Sequence, residues 1–151
     1  MRIGVDVGSV RVGVAASDPD ARLAFPVTAV QRRRDGSDLE ELAGLIAERE
    51  AVEVVVGLPR TLAGREGVAV DAARSYANAL SERIAPIPVT LVDERLTTVV
   101  ADQALRAARP RSSVRDRRAA IDAAAAAGIL QTYLDGMAAG MGRRDGTEGP
   151  A

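Results

Sequence analysis

Several residue types that supply common catalytic groups are missing from this chain. It contains no cysteine and no histidine, which excludes disulfides, thiolate or imidazole metal ligands and Ser-His-Asp triads. All 20 basic residues are arginines, so a Walker-type phosphate lysine and a Schiff-base lysine are excluded as well. Any acid–base chemistry must therefore depend on Asp, Glu, Tyr, Arg or a metal-bound water.

Aromatic residues and long apolar runs are also scarce. Phe25, Tyr76 and Tyr133 are the only aromatic residues, too few for a platform that stacks unpaired bases. No apolar run approaches the roughly 18 residues of a membrane span. The first residues also lack the pattern of a secretory signal. The composition thus predicts a chain without a membrane partner and, if it binds nucleic acid, one that recognises backbone and shape.

Alternation and helical spacing along the 151 residues predict one α/β domain with a mixed sheet and helices on its faces. The first two predicted strands alternate between apolar and small or polar residues and are joined by a tight turn at Gly8-Ser9. Pro26 indicates an edge strand or a bulge, and Ser37 or Asp38 is the expected N-cap of the first helix. In chain order we predict strands at 2–8, 10–17, within 21–30, at 52–56 and at 89–92, and helices from 37 or 38, at 67–84, from 97 or 98 to 108 and at 116–137.

Three carboxylates stand where the local pattern favours a hydrophobic residue or a turn. Asp6 lies mid-strand, Glu94 follows an apolar run, and Asp122 lies on the apolar stripe of the last predicted helix. A buried carboxylate is costly unless a proton, a cation or hydrogen bonds compensate it. Three of them from separate parts of one small domain suggest a shared Mg²⁺ or Mn²⁺ ion, because both metals prefer oxygen ligands.

Each acid also has a purely structural interpretation. Asp6 could bond to neighbouring backbone or to an arginine. Of the adjacent Asp93 and Glu94, only one is expected to enter a shared site, and the other could pair with Arg95 or cap a helix. Asp122 could be an early-turn acid that the helix dipole favours.

Arginines form two clusters. Arg32, Arg33 and Arg34 are adjacent, and a second, longer cluster contains only one acid, Asp116. A charge run is most often a solvated segment, but arginines also hold phosphates by charge-assisted, often bidentate contacts. For the longer cluster we predict nucleic-acid binding by Arg106, Arg109, Arg111, Arg115, Arg117 and Arg118.

Four segments resemble the YqgF/RuvX family, in the family's order and spacing. They are IGVDVGSVRVGVAASDP, VVGLPRTLAGREG, VDERLTT and IDAAAAAGILQTYL. Members are described as Holliday-junction-resolvase-like proteins and as pre-16S rRNA nucleases. The resemblance covers about residues 1–137. It implies an RNase H-like fold with a five-stranded mixed sheet, strands 1–3 antiparallel.

The resemblance also implies a cytoplasmic, metal-dependent nuclease that matures the 5′ end of 16S rRNA. The family's acidic positions fall on Asp6, Glu94 and Asp122, as catalytic residues and ligands of Mg²⁺ or Mn²⁺. Where the family's glycine-rich loop often ends Asp-Gly, this chain has Glu66-Gly67. The glycines and proline expected to shape strands and loops are Gly4, Gly8, Gly57, Pro59 and Gly67.

These observations predict a nuclease domain over residues 1–138 and a disordered tail over 139–151. Structured RNA is the expected partner, and the protein is expected to be a monomer or a weak homodimer. One alternative is a Holliday-junction resolvase on branched DNA, which would need two symmetric sites and hence a dimer.

Two other classes are open to the sequence. A non-catalytic, nucleic-acid-binding ribosome-assembly factor could keep the fold and the acids. An actin-like or sugar-kinase-like ATPase shares the phosphate-loop pattern of VDVGS. Such ATPases need two related domains and a second phosphate loop, and this chain contains no second Asp-x-Gly-Ser/Thr motif.

Overall fold

A five-stranded mixed sheet organises the described part of this computed structural model, which comprises residues 1–59, 67–93 and 114–147. Side chains at 115 and 141–147 lie outside the description, as does the helix predicted at 97–108. The strands are β1 (Arg2–Val7), β2 (Arg11–Ser17), β3 (Ala24–Gln31), β4 (Glu53–Leu58) and β5 (Val89–Asp93), and the helices are α1 (Ser37–Glu48), α2 (Val68–Ile84) and α3 (Val114–Thr147).

The sheet has the order β3-β2-β1-β4-β5. β1 pairs antiparallel with β2, and β2 pairs antiparallel with β3, whereas β1–β4 and β4–β5 are parallel pairs. The predicted mixed sheet with antiparallel strands 1–3 is therefore confirmed. Because β3 runs parallel to β1, the carboxyl ends of β1, β3, β4 and β5 lie at one edge, called here the C-terminal edge.

The β1–β2 turn and the edge strand follow the sequence pattern. The Gly8 N–H donates to the Arg11 carbonyl at 2.9 Å, which closes the tight turn predicted at Gly8-Ser9. β3 is an edge strand, and its register against β2 shifts between Val14 and Ala15, where Pro26 pairs with Ala15. Pro26 thus lies in an edge strand beside a bulge.

Two helix ends differ from the sequence prediction. α1 has Gly36 as its N-cap rather than Ser37 or Asp38, because Gly36 adopts a φ of 82° and Asp35 Oδ1 accepts from the Ser37 N–H at 2.9 Å. α3 continues to Thr147 instead of ending at Met137, so 139–147 carries helical backbone where a disordered tail is expected. Ala138 and Ala139 favour continuation of the helix directly after Met137.

The two faces of the sheet are covered by different helices. On one face, Ile3 and Val5 of β1 pack with Leu42 of α1 and Leu80 of α2 in the larger core cluster. On the other face, Val55 of β4 packs against a row of α3 side chains, Ile129, Leu130 and Leu134. No helix in the described ranges is both long enough and apolar enough to cross a membrane.

Two glycines allow α3 to lie directly on the sheet. A Cβ on Gly4 would stand 2.7 Å from the Leu130 Cβ and 2.8 Å from the Ala126 carbonyl oxygen. A Cβ on Gly13 would overlap the main-chain carbonyl of Asp122. Both positions therefore exclude larger residues because the helix backbone occupies the space of a side chain.

A polar cluster around Glu53, the first residue of β4, binds α3 at the edge of the sheet opposite the C-terminal edge. The Glu53 carboxylate accepts from Arg2 Nε at 2.8 Å, from Thr90 Oγ1 at 2.7 Å and from the Tyr133 hydroxyl at 2.7 Å. Burial opposes ionisation, but the hydrogen bonds from Tyr133, Arg2 and Thr90 outweigh it and hold the pKa of Glu53 below its usual value. Burial, followed by the bond to Glu53, raises the pKa of Tyr133.

We expect Gly13→Ala to lower the free energy of unfolding by about 2–3 kcal/mol, because the new methyl group must push α3 away from β2. Urea denaturation would measure the change. Gly44→Ala is the matched control: a Cβ there meets open space in the middle of α1. That control should raise stability by about 1 kcal/mol, and equal effects of the two variants would contradict the close-approach argument.

We expect Tyr133→Phe to lower the free energy of unfolding by about 1–2 kcal/mol near pH 7, because Glu53 loses a donor to its charged form. Glu53 has a folded pKa below its unfolded value of about 4.5. Its contribution is present above that pH and is lost as the pH falls through the folded pKa. Urea titrations at pH 7, 5 and 3.5 should therefore show that the wild type and Tyr133→Phe differ less in free energy of unfolding as the pH falls.

The control for this pH series is Thr132→Ala, whose hydroxyl donates to the Gly128 carbonyl at 2.9 Å within α3. Its effect should not change with pH. An effect of Tyr133→Phe that stays constant as the pH falls through the range in which folded Glu53 protonates would contradict Glu53 as the partner of Tyr133.

Candidate active site

The sheet brings Asp6 and Asp122 to the same place. Asp6 stands opposite Gly13 in the β1–β2 pair, and directly paired residues point to the same face. The Asp122 main chain lies against Gly13 on that face. The two acids, which are far apart in the chain, therefore lie on the α3 face close to the C-terminal edge.

Asp122 has a basic partner that the sequence did not reveal. Arg11 Nε donates to Asp122 Oδ2 at 2.7 Å, and the two side chains are 20% and 28% exposed. Arg11 precedes Gly13 by two residues, so both lie on the face of β2 that α3 covers. That shared parity places Arg11 on the face of Asp6, but only the packing of α3 on β2 brings Asp122 to it.

The helix-dipole interpretation of Asp122 is wrong for this structure. α3 begins at Val114, and the acid in its first turn is Asp116. Asp122 lies two turns further on, beyond the range of the dipole effect. Its carboxylate is compensated instead by the Arg11 guanidinium.

The third predicted acid, Glu94, lies outside the described residues. Its neighbours in β5 are described: Val92 packs against the α3 cluster, and Asp93 stands in register with Leu58. Leu58 packs against Val70 and Ala73 of α2, and strand alternation directs Asp93 toward that helix. Asp93 also borders a cavity with Thr132, Tyr133 and Gly136 of α3.

Two of the three predicted metal ligands, Asp6 and Asp122, lie among the described residues. Within the described ranges, no three acids come together as metal ligands would. Asp6 and Asp122 supply the carboxylate oxygens that Mg²⁺ and Mn²⁺ prefer, so their chemistry fits such an ion. One oxygen of Asp122 is already bonded to Arg11.

The predicted nucleic-acid-binding arginines are described only in part. Arg117 and Arg118 are exposed in the early turns of α3, and Arg118 precedes Asp122 by four residues, which places it on the same side of the helix. The Arg115 side chain lies outside the description, and so do the whole residues Arg106, Arg109 and Arg111.

The predicted loop residues differ in what constrains them. A Cβ on Gly8 would lie 2.6 Å from the Arg11 carbonyl oxygen, so the turn excludes it. Gly57 is buried in β4 and Pro59 follows the strand, whereas the residues after it, 60–66, lie outside the description. A Cβ on Gly67, the N-cap of α2, would meet no atom of residues 1–59, 68–93 or 114–147 within 4 Å.

A family model described as RuvX, Holliday junction resolvase, matches residues 1–136. The chain belongs to the RuvX family. The membership inferred from the four sequence segments is therefore confirmed, and with it the assignment to a class of nucleases.

Curated relatives of this RuvX protein carry the name "Putative pre-16S rRNA nuclease". The relative from Mycolicibacterium paratuberculosis is 59% identical over 134 residues, covering 89% of this chain and 79% of the relative. Relatives from Mycobacterium bovis and Mycobacterium tuberculosis are 55% identical over 148 residues, covering 97% of this chain and 86% of theirs.

Solved structures show the same fold at low identity. RuvC of T. thermophilus in complex with a Holliday junction substrate is similar with a TM-score of 0.54 and 14% identity, covering 91% of this chain and 95% of that one. The Fowlpox virus resolvase with Holliday junction DNA gives a TM-score of 0.54 and 8% identity, covering 90% and 97%. The RNase H-like fold expected for a RuvX protein is thus confirmed.

We expect the Arg11–Asp122 pair to show a coupling energy of about 1–2 kcal/mol in a double-mutant cycle of Arg11→Gln and Asp122→Asn, because both side chains are partly buried. Urea denaturation of the four proteins would measure it. The control cycle uses Arg83 and Glu40, whose pair has the same 2.7 Å distance but is 34% and 69% exposed. It should give about 0.5 kcal/mol or less, and equal coupling in the two cycles would contradict the argument from burial.

Proposed function

We propose that this RuvX protein is a cytoplasmic, metal-dependent nuclease that hydrolyses phosphodiester bonds of structured RNA in 5′-end maturation of 16S rRNA. The observation that carries the proposal is the meeting of Asp6 and Asp122 on one face, through the contact of Gly13 with the Asp122 main chain. The names of the mycobacterial relatives support the choice of substrate.

Asp6, Asp122 and Glu94 are proposed to hold Mg²⁺ or Mn²⁺. When bound, such an ion supplies a more acidic water and neutralises charge on the phosphate. Of the adjacent Asp93 and Glu94, Glu94 is proposed as the ligand, because it stands at the acidic position implied by the family resemblance. With no histidine or lysine in the chain, carboxylates and arginines must position the substrate and handle its charge.

Arg11 is proposed to position Asp122 in this site. Its Nε–H holds one carboxylate oxygen at 2.7 Å and so orients the other. A guanidinium has five N–H donors, so Arg11 retains donors that can face a phosphate beside the acids. Arg117 and Arg118, exposed on α3, are proposed to bind flanking phosphates together with Arg106, Arg109, Arg111 and Arg115.

The catalytic domain is proposed to span residues 1–138, although α3 itself continues to Thr147. A monomer or weak homodimer would suffice for RNA cleavage at a single site. The family description favours a second candidate function, resolution of a Holliday junction in branched DNA, which would require a symmetric dimer with two sites.

The test is cleavage of a labelled 5′ fragment of precursor 16S rRNA and of a synthetic four-way DNA junction, each with Mg²⁺, Mn²⁺ or EDTA. We expect metal-dependent cutting of the RNA and a loss of at least about 10²-fold in rate for Asp6→Asn and Asp122→Asn. Asp20→Asn is the matched control, because Asp20 is exposed in the β2–β3 connection, at the edge opposite the C-terminal edge.

The outcomes separate the candidate functions. Cutting of the junction alone would replace the RNA nuclease with the resolvase. Binding of RNA without cleavage under any metal condition, also within a ribosomal precursor particle, would show a non-catalytic assembly factor. Equal losses for Asp20→Asn and Asp6→Asn would contradict the assignment of the site.

A further inference from the structure

A basic cavity of about 700 Å³ opens at the C-terminal edge, on the side of the sheet that α1 and α2 cover. Three parts of the chain meet there: the β1–β2 turn, the segment that follows β3, and the first turns of α2. The site described above lies on the α3 side and does not include these residues. The cavity is lined by Val7, Gly8, Ser9, Arg32, Arg33, Arg34, Val68, Ala69 and Ala72.

Arg32 is held in place by the turn and by α2. Its Nη1 donates to the Gly8 carbonyl at 3.2 Å, and its backbone N–H donates to the Val10 carbonyl at 2.9 Å. Its guanidinium carbon lies 5.1 Å from the centre of the Tyr76 ring, a cation–π distance. The arginine cluster is therefore attached to the turn that follows the Asp6 strand, and the bond to Gly8 occupies one of the five N–H donors of Arg32.

Arg33 and Arg34 are exposed, and neither guanidinium forms an ion pair in the described part of the chain. Three acids lie nearby. Asp35 interacts electrostatically with Arg33, and its Oδ1 accepts from the Ser37 hydroxyl at 2.7 Å. Asp38 is buried and accepts from the Tyr76 hydroxyl at 3.2 Å. The third acid, Asp71, is in the first turn of α2.

The start of α2 adds backbone donors to the cavity. The N-cap Gly67 provides no side-chain hydrogen bond, and the Val70 and Asp71 N–H groups donate to the Gly67 carbonyl. The N–H groups of the first turn and the helix dipole favour an anion at this end. Asp71 offsets part of that effect, but its side chain is exposed and does not line the cavity.

We propose that this cavity binds a backbone phosphate of the nucleic-acid strand, separate from the phosphate at the acidic site. The inference rests on the proposed function for its ligand. Gly8 follows Asp6 by two residues, a rise of roughly 7 Å along the strand. A nucleic-acid strand that crosses the C-terminal edge would thus meet the acids on one side and the three arginines on the other. The cavity then sets the path of the substrate without contacting the cleaved bond.

The experiment compares Arg33→Ala/Arg34→Ala with Arg22→Ala/Arg49→Ala, all in an Asp6→Asn background that prevents cleavage. Arg22 and Arg49 lie at the opposite edge of the sheet, after β2 and after α1, so both double variants change the net charge equally. Affinity for the precursor rRNA fragment is measured at several salt concentrations. We expect the log–log salt slope to shrink by roughly 0.7–0.9 per lost phosphate contact for the cavity variant only.

A second arm identifies the source of the phosphate. Amide NMR shifts of Gly8, Ser9, Val68 and Ala69 are followed during titration with inorganic phosphate, with AMP and with a short RNA. Larger shifts with RNA than with either small anion would support the proposal. Saturation by inorganic phosphate or AMP, with an unchanged salt slope for RNA, would overturn it in favour of a free-anion site.

The remaining outcomes are also decisive. Equal slopes for the two double variants, with normal binding by the Asp6→Asn parent, would overturn the cavity proposal and leave the nuclease proposal intact. A parent that binds no RNA at all would overturn both. Circular dichroism and thermal melting of each variant exclude loss of folding as the cause, since the exposed side chains of Arg33 and Arg34 support no part of the core.

Discussion

The contact between the α3 backbone and the two glycines of the central hairpin is the constraint on which the rest of the site depends. Gly13 leaves room for the Asp122 carbonyl, and Gly4 leaves room for Ala126 and Leu130. Any side chain at these positions would lift the helix from the sheet. The distance from helix to sheet, and with it the position of Asp122 relative to Asp6, is therefore set by the absence of two methyl groups.

Charge compensation follows from that contact. Once α3 lies against β2, Asp122 is partly buried, and Arg11 compensates its charge at 2.7 Å. At the other end of the same sheet face, Glu53 is compensated by Arg2, Thr90 and Tyr133. Both polar groups hold α3. Among the described residues, the Arg11–Asp122 pair lies near a second acid, Asp6, and the Glu53 cluster does not. We therefore assign the candidate catalytic site to the end with Asp122.

The C-terminal edge concentrates the groups that can contact phosphate. Strand direction brings the ends of β1, β3 and β4 together there, and so joins Asp6 with the Arg32–Arg34 cluster that follows β3. Because all basic residues are arginines, each of these contacts is permanently charged and can be bidentate. A substrate bound along this edge would contact both sides of the sheet. Its cleaved bond would lie on the α3 side, beside the acids.

Local patterns in the sequence were enough to predict the strands, the β1–β2 turn, the edge position of Pro26 and the family, because each depends on alternation, turn residues or contiguous motifs. They were also enough to mark Asp6 and Asp122 as acids in apolar settings.

The pairing of Asp122 with Arg11 could not be read from the chain, since 111 positions separate the two residues and only the packing of α3 on β2 joins them. The same holds for the arginine cavity: a run of three charges does not indicate whether it faces solvent or a second element. Folding places the β1–β2 turn and the start of α2 around it, because parallel strands deliver their carboxyl ends to one edge.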